Sequence, residues 1–298
     1  MTAIALLDGS IGQELVRRSG EPATPLWSTR VMMDKPDLVG DVHSEYYSSG
    51  ATIATTNTYA VHRSRLDRVG LSDQIPHLLD CALTQAERAR AKYPTARIAG
   101  ALGPLLASYR PDLNPDVDEA AGKYRELVTA MSDRVDLFLI ETVSSLQEAE
   151  GALRGTQGCG KPVWLALTVG DNDGTRLRSG EPVSAIADIV ERYDPAAVLI
   201  NCSPPEAVPA ALEVIRSLNR PYGAYANGFT EISPGFLQDA PTVDALTRRQ
   251  DLTPEAYADH AMGWIGQGAT IVGGCCEVGP GHISELATRL TTAGYQIM

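Results

Sequence analysis

Short runs of apolar residues recur along the chain, and each run closes on polar residues or on glycine. Runs that are rich in aliphatic side chains and bounded by turn residues are typical of buried β-strands. The pattern predicts eight strands, at residues 4–7, 51–59, 97–102, 135–140, 162–169, 197–201, 221–227 and 269–273.

Between these runs, apolar residues recur three and four positions apart, which is the spacing of an amphipathic helix. Helices are predicted at residues 36–49, 72–92, 117–131, 144–154, 182–192, 205–218, 254–267 and 281–291. Two of these helices begin at hydroxyl side chains that suit an N-cap. Ser72 is expected to cap the second helix, and Ser144 or Ser145, with Gln147 or Glu148 three residues later, predicts a capping box.

Regular alternation of strand and helix indicates a parallel sheet with right-handed crossovers. Eight such units in about 300 residues favour an α/β fold of the closed (β/α)8 TIM-like barrel type, as one domain over residues 1–298. The alternative is an open doubly wound sheet. Against it, no Gly-x-Gly-x-x-Gly follows the first strand, and the chain has no Walker-type phosphate loop.

Three cysteines fall where predicted strands end. Cys202 follows the sixth strand, while Cys275 and Cys276 follow the eighth strand and its Gly273-Gly274 pair. Free cysteines often only fill space, and a vicinal pair is also compatible with a redox disulfide. In a barrel, however, the carboxyl ends of all strands converge on one face, so we expect these sulfurs to meet.

Three thiolates without a fourth protein ligand suit a tetrahedral zinc ion with one open position, the arrangement of catalytic zinc sites. Soft sulfur donors favour zinc or copper(I) over magnesium or calcium. Such a centre would activate a substrate thiol for attack on an electrophile. Cys81, in a helical pattern, and Cys159, in a glycine-rich loop, are interpreted as structural or incidental.

The 298-residue chain carries a net charge of −12, which argues against binding to nucleic acid or to anionic membranes. Five cysteines without a framework spacing fit a reducing compartment. The first residues lack the basic and apolar regions of a signal peptide, and no apolar stretch is long enough to cross a bilayer. We therefore expect a cytoplasmic protein; the sequence leaves open whether it forms a homo-oligomer.

Several segments together resemble the homocysteine S-methyltransferase family, the zinc-dependent barrel methyltransferases of methionine biosynthesis. The similarity runs nearly end to end; its motifs are Asp8-Gly9-Ser10, Leu26-Trp27-Ser28, Thr56-Asn57-Thr58-Tyr59, Gly103-Pro104, Glu141-Thr142, Asn201-Cys202 and Gly273-Gly274-Cys275-Cys276. The resemblance implies methyl transfer to homocysteine, with zinc bound by Cys202, Cys275 and Cys276.

The resemblance also implies a substrate site. Asp8 and Glu141 would receive the amino group of homocysteine. The structural alternatives are that Asp8 is a helix N-cap and that Glu141 has a capping role. Thr56 and Asn201 would orient the substrate or the metal loop, unless they only satisfy strand ends. Trp27 would contribute to the methyl-donor pocket, because an aromatic face attracts a methylated cation. The alternative is that Trp27 only packs against its neighbours.

The chain departs from the betaine-using branch of that family. Thr142 and Ala60 stand where that branch has tyrosines, so a sulfonium donor such as S-methylmethionine or S-adenosylmethionine is favoured. The acceptor could also be a related thiol or selenol. Residues 228–251 form a long irregular loop that we expect to be a lid. The alternatives are a non-catalytic zinc-thiolate barrel and a redox protein that uses Cys275 and Cys276.

Overall fold

A computed structural model describes residues 2–238 and 242–298. Within these residues the strands form one parallel sheet in the order β2-β3-β4-β5-β6-β7-β8-β1-β9. The strands are β1 (Ala3–Leu6), β2 (Ile53–Thr55), β3 (Arg97–Leu102), β4 (Leu137–Val143), β5 (Val163–Leu167), β6 (Ala197–Asn201), β7 (Tyr222–Tyr225), β8 (Ile271–Val272) and β9 (Gln296–Ile297).

Helices cover the outside of this sheet. They are α1 (Ile11–Ser19), α2 (Ser28–Asp34), α3 (Pro36–Ser48), α4 (Arg63–Leu66), α5 (Ile75–Arg90), α6 (Val117–Met131), α7 (Leu146–Thr156), α8 (Ala187–Tyr193), α9 (Val208–Ile215), α10 (Pro254–Gly266) and α11 (Pro280–Thr292). Among the described residues, every helix is too short or too polar to span a lipid bilayer.

The sheet closes on itself between β1 and β2. Strand β8 pairs with β1 through Leu6 and Val272, and a parallel bridge joins Leu7 to Ile53 on the other side of β1. The amide of Asp8 donates to the carbonyl of Ile53 over 3.0 Å. The predicted (β/α)8 TIM-like barrel is confirmed. Strand β9 is an addition that pairs with the amino-terminal end of β1.

Two apolar clusters stabilise the barrel. The larger cluster lies between the strands and the helices and includes apolar residues from nearly every predicted helix. The smaller cluster fills the interior of the ring, and its buried members are Ala5, Leu7, Ile53, Ala99, Leu137, Leu139, Trp164, Ala166, Ala197, Leu199, Tyr225 and Ile271. Alternate residues of each strand supply it, as expected for a barrel whose interior is packed.

The local predictions missed α1, α2, α4 and β9, which are short and lie close to loops. The prediction that Ser72 caps the second long helix is wrong. A 3₁₀ turn over Ser72–Gln74 precedes α5, and the Ser72 hydroxyl bonds to the carboxylate of Asp67. The hydroxyl is therefore committed to the preceding turn before the helix begins.

The predicted capping box of α7 forms in a modified way. Ser145 is the N-cap, and its hydroxyl accepts from the amide of Glu148 over 3.1 Å. The Glu148 carboxylate turns instead to Ser144, whose amide and hydroxyl donate to it over 2.7 and 2.8 Å. Burial raises the pKa of Glu148 to about 7.

We predict that Gly223→Ala destabilises the barrel, whereas Gly122→Ala does not. A methyl group at Gly223 would overlap the carbonyl of Ile271 in the neighbouring strand, while Gly122 on α6 has open space around it. Overpacking costs about 1–3 kcal/mol, and alanine in an exposed helix gains up to about 1 kcal/mol over glycine. Thermal unfolding midpoints of the two variants should therefore move in opposite directions; a shared direction would contradict this account of the β7–β8 contact.

Candidate active site

A cavity of about 250 Å³ opens at the carboxyl ends of the strands. Of the site residues predicted from the sequence, those that line it are Asp8, Trp27, Thr56, Glu141, Cys202, Cys275 and Cys276. Asn201 is fully buried behind the cavity wall. The prediction that the strand ends share one mouth is therefore confirmed by the fold, and side chains at the carboxyl ends of β1, β2, β4, β6 and β7 and in the loop after β8 meet there.

The three predicted cysteines meet at the inner end of this cavity. Their Sγ atoms lie within 4.8 Å of one another, and Cys202 is joined to Cys275 as a disulfide with a Cα–Cα distance of 5.7 Å. Cys276 is a free thiol. A cluster of three soft donors fits a thiophilic metal ion once the disulfide is reduced, because the metal ligand is the thiolate. Cys81 and Cys159 lie outside the cavity.

The cysteine loop is held by close backbone contacts with the end of β1. The amide of Gly274 donates to the carbonyl of Asp8 over 2.9 Å, and a side chain at Gly274 would overlap Val278. A side chain at Gly273 would overlap Leu7, and one at Gly9 would overlap the carbonyl of Val278. These glycines are required for close approach, and Gly273 and Gly274 do not have positive φ.

Cys202 and Thr142 adopt left-handed backbone conformations, with φ of 45° and 60°. The side chain of Asn201, which precedes Cys202, supports the turn at Thr142. Its oxygen accepts from the amide of Thr142 and its nitrogen donates to the Thr142 hydroxyl, each over 3.0 Å. The register shift in β4 falls at the same place. Asn201 thus holds a strained strand end next to the sulfur cluster, an arrangement that is enriched at functional sites.

Asp8 is buried, and its carboxylate accepts from the amide and hydroxyl of Thr55 over 2.7 and 2.8 Å. Burial raises the pKa of Asp8 well above its usual value, against the lowering effect of these hydrogen bonds. The N-cap of α1 is Ser10, so Asp8 does not cap that helix. Its carboxyl group lines the cavity instead.

Glu141 also faces the cavity, and it does not cap α7, whose N-cap is Ser145. Its carboxylate accepts from the hydroxyl of Tyr225 over 3.0 Å. Burial raises the pKa of Glu141 to about 7, and the Tyr225 hydrogen bond lowers it in part. The role of Tyr225 was not predicted, although its position at the end of β7 places it among the strand tips.

The Thr56 hydroxyl satisfies a backbone hydrogen-bonding group near the end of the neighbouring strand β3. The hydroxyl accepts from the amide of Ala101 over 3.0 Å and contacts the Thr58 hydroxyl.

Burial, together with the charges of Glu277 and Glu141, raises the pKa of Cys276 to about 12. The thiolate form of Cys276 is therefore disfavoured where no cation neutralises it.

Trp27 lies over Gly12, where a side chain would overlap the indole ring. Its indole N–H donates to the Gln13 side chain over 3.0 Å, and Gln13 in turn donates to Glu277 over 2.8 Å. The Trp27 ring meets Tyr59 edge to face, with ring centroids 6.0 Å apart. Helix α1 thereby connects the cysteine loop to the aromatic wall of the cavity.

Further residues of the cavity wall were not predicted as site residues: Tyr59, Arg65, Tyr109, Phe229 and Phe236. The cavity is therefore richer in aromatic side chains than the sequence indicated. Tyr59 ends the motif that begins at Thr56, which was a usable signal. The others lie in or beside loops whose path the periodicity does not specify.

Part of the predicted lid contacts this wall. Phe236 meets Tyr109 edge to face with centroids 6.0 Å apart, and the carbonyl of Leu237 accepts from Arg110. Residues 239–241, which belong to the predicted loop 228–251, lie outside the described residues. The described parts of this loop cover one side of the cavity, with Phe229, Phe236 and Gln238 in its lining.

The sequence profile of the homocysteine S-methyltransferase family matches residues 5–290. The chain belongs to this family. Its relatives include the homocysteine S-methyltransferase of Escherichia coli, 29% identical with 96% of this chain and 95% of the relative covered, and the homocysteine S-methyltransferase YbgG of Bacillus subtilis, 26% identical with 95% and 93% covered. The selenocysteine methyltransferase of Astragalus bisulcatus is 27% identical, with 97% and 93% covered.

A solved structure of a family member has the same fold. The homocysteine methyltransferase MmuM from Escherichia coli, in its metallated form, superimposes with a TM-score of 0.80 at 28% identity, and 96% of each chain is covered. The likeness therefore extends over nearly the whole chain.

We predict that Glu141→Gln stabilises the protein at alkaline pH. The pKa of Glu141 rises from 4.5 to about 7 on folding, so the stability gained from the buried neutral carboxyl is present below pH 4.5 and is lost as pH rises through 7. Glutamine keeps the acceptor for Tyr225 and cannot ionise. The variant should gain about 3 kcal/mol over the parent protein at pH 8 and much less at pH 5.

Unfolding midpoints at both pH values measure this difference. Glu213→Gln, which removes a carboxylate that is 62% exposed, is the matched control for a change in net charge. A gain for Glu141→Gln that is the same at pH 5 and pH 8 would contradict the buried-carboxyl explanation.

Proposed function

We propose that this protein transfers a methyl group from a sulfonium donor to the thiol of homocysteine and forms methionine. The observation that carries the proposal is the meeting of three cysteine sulfurs with Asp8 and Glu141 in one cavity. Family membership supports the reaction class. We further propose that residues 1–298 act as one homocysteine-binding-type barrel domain in the cytoplasm, where reducing conditions keep such sulfurs as thiols.

We infer that Cys202, Cys275 and Cys276 hold zinc. Among the described residues, no histidine, aspartate or glutamate joins this cluster, which leaves one position of a tetrahedral ion open. A zinc ion bound there would lower the pKa of a substrate thiol that occupies the open position. The donor set supports zinc or copper(I) over magnesium or calcium, and a metal without redox chemistry suits methyl transfer.

The chain's own residues would bind and orient the acceptor. The carboxylates of Asp8 and Glu141 would receive its ammonium group, and that charge would offset the cost of burying them. Tyr225 orients the Glu141 carboxylate, and Asn201 supports the backbone that carries Glu141 and Cys202. Thr56 contributes by shaping the wall rather than by a free hydroxyl, because that hydroxyl is already bonded.

The aromatic wall would receive the methyl donor. Trp27 and Tyr59 present ring faces and edges toward the cavity, and such rings attract methylated cations. S-methylmethionine or S-adenosylmethionine is proposed as the donor, since Thr142 and Ala60 replace the tyrosines of the betaine-using branch. Enclosure of the donor within the apolar wall would also exclude water from the reacting methyl group.

Two alternatives are less well supported. A structural zinc site normally has four protein ligands, and the described cluster offers three. A redox protein that uses the vicinal pair would need only Cys275 and Cys276, whereas a third sulfur, that of Cys202, meets them in one cluster. The direct test is methionine formation from homocysteine with S-methylmethionine, S-adenosylmethionine and betaine as donors. Absence of product with every donor would refute the proposal.

We predict that Cys202→Ser lowers zinc occupancy and turnover together. Mutation of a residue that only supports a metal ligand typically lowers metal affinity or activity 10- to 100-fold. Loss of a ligand itself should cost more, so we expect a decrease of about 100-fold or more in both quantities. Cys159→Ser, outside the cavity, is the matched control and should leave both unchanged. Elemental analysis and initial rates measure the two quantities; retained turnover in metal-poor Cys202→Ser would exclude the metal role.

We also predict that Glu141→Gln weakens binding of homocysteine through its amino group. The homocysteine KM should rise about 10- to 100-fold because a charge-assisted bond in a buried site is lost. The comparison thiol is 4-mercaptobutanoate, which is homocysteine without the amino group, and its KM should change little. Equal losses for the two thiols would place Glu141 outside the ammonium site.

A further inference from the structure

The cavity carries opposite charges at its two ends. The only acidic residues among its described lining are Asp8 and Glu141, which lie at the sulfur cluster. The wall formed by α4 and the turn after it contributes Arg65 and Arg68. A ligand that occupies the whole cavity therefore meets negative charge at one end and positive charge at the other.

Arg65 is partly buried, and its guanidinium group has little compensation. Its Nε has no hydrogen-bond partner, and its Nη2 makes one long contact of 3.4 Å with the hydroxyl of Ser108. Among the described residues, no carboxylate lies within salt-bridge distance of it. Burial lowers the pKa of Arg65, and the neighbouring charge of Arg68 acts in the same direction. A buried cation with unused donors is costly and is relieved by an anion.

Tyr59 lies between the two charged ends. The Arg65 guanidinium stands 5.7 Å from the centre of its ring, and the Trp27 ring meets it from another side. The Tyr59 hydroxyl bonds to Ser108 over 2.7 Å, the same serine that Arg65 contacts. Burial raises the pKa of Tyr59, the charge of Arg65 lowers it and that of Glu141 raises it, so both charged ends act on this ring. A molecule held against Trp27 and Tyr59 would reach Arg65 with its far end.

We propose that Arg65, supported by Ser108, binds a carboxylate of the methyl donor. The donor is then a sulfonium carboxylate, with its onium centre at the aromatic wall and its acid group at α4. This inference deepens the proposed methyl transfer and rests on it. We assign the carboxylate to the donor because the acceptor's ammonium and sulfur are already placed at the opposite end, beside Asp8, Glu141 and the cysteines.

Arg65 takes no part in the bond exchange. The acceptor thiol loses its proton to solvent, and its sulfur lone pair forms the new bond to the methyl carbon. The bond from that carbon to the sulfonium sulfur breaks, and its electron pair remains on the neutral sulfide that leaves. Arg65 contributes binding and orientation of the donor, so its loss should appear mainly in the donor KM.

The test compares two donors that differ only in the acid group: S-methylmethionine and its carboxamide. In Arg65→Gln, the KM of S-methylmethionine should rise about 10- to 100-fold, the loss typical of a charged hydrogen bond in a buried site. The KM of the carboxamide should change less than about 3-fold. Arg65→Lys should restore part of the affinity, because it keeps the charge without the guanidinium geometry.

Arg63→Gln is the matched control, since Arg63 lies on the same helix, is exposed and pairs with Glu126. It should leave both donors unchanged, and thermal unfolding midpoints check that each variant is folded. Equal losses for both donors in Arg65→Gln, or no loss for either, would overturn the inference. A rise in the homocysteine KM with the donor KM unchanged would also overturn it, by assigning the carboxylate to the acceptor.

The test separates this inference from the proposed function. If the unmodified protein transfers methyl groups and Arg65→Gln behaves like Arg63→Gln, only the role of Arg65 is refuted. If the unmodified protein transfers a methyl group from none of S-methylmethionine, its carboxamide and S-adenosylmethionine, the proposed donor class fails and the inference fails with it.

Discussion

Closure of the ring between β1 and β2 is the contact on which the rest of the structure depends. Strands β6, β7 and β8 are neighbours in the sheet, so Cys202 lies two strands from Cys275 and Cys276, and closure of the ring then brings the end of β2 against Asp8 on the far side of the same mouth. The seam is built by Leu7, Ile53 and the amide of Asp8. The Asp8 carboxylate then bonds to Thr55 across the same seam, so one residue joins the two strands and lines the cavity.

Buried charge and strained backbone accompany this closure. Asp8 and Glu141 have raised pKa values because protein replaces water around them, and Thr142 and Cys202 adopt conformations that side chains usually avoid. Such features lower stability when the cavity holds no compensating ligand. The wide apolar clusters outside and inside the ring supply the stability that lets these residues stay in place. Rigid strands thus present reactive groups at fixed positions.

Much of the fold could be predicted from the sequence, because apolar runs and helical stripes report directly on burial. All eight predicted strands form, and β3, β6 and α6 have the predicted bounds. The short helices α1, α2 and α4 were missed because they lie in loops, where tertiary contacts rather than periodicity decide the conformation. The capping of α5 was mispredicted because Ser72 bonds to Asp67, a contact that spacing alone does not reveal.

The candidate site could be predicted where function falls on strand ends. The convergence of Asp8, Glu141 and the three cysteines follows from the topology, since parallel strands carry their carboxyl ends to one face. The aromatic and basic wall could not be derived in this way. Tyr109 and Phe236 come from loops that pack against each other, and Arg65 comes from the short helix α4, which the periodicity did not reveal. The pairing of Cys202 with Cys275 likewise depends on the distance between two loops.

The side chain of Gln13 uses both ends of its amide, one toward Glu277 beside the cysteines and the other toward the indole of Trp27. Movement of the sulfur loop is therefore transmitted to an indole that borders the cavity, whereas Trp264 is enclosed in the core and Trp164 lies on a strand inside the ring. Trp27 is thereby an intrinsic fluorophore positioned to report on the state of the sulfur cluster. The protein contains its own optical probe, with no external label needed.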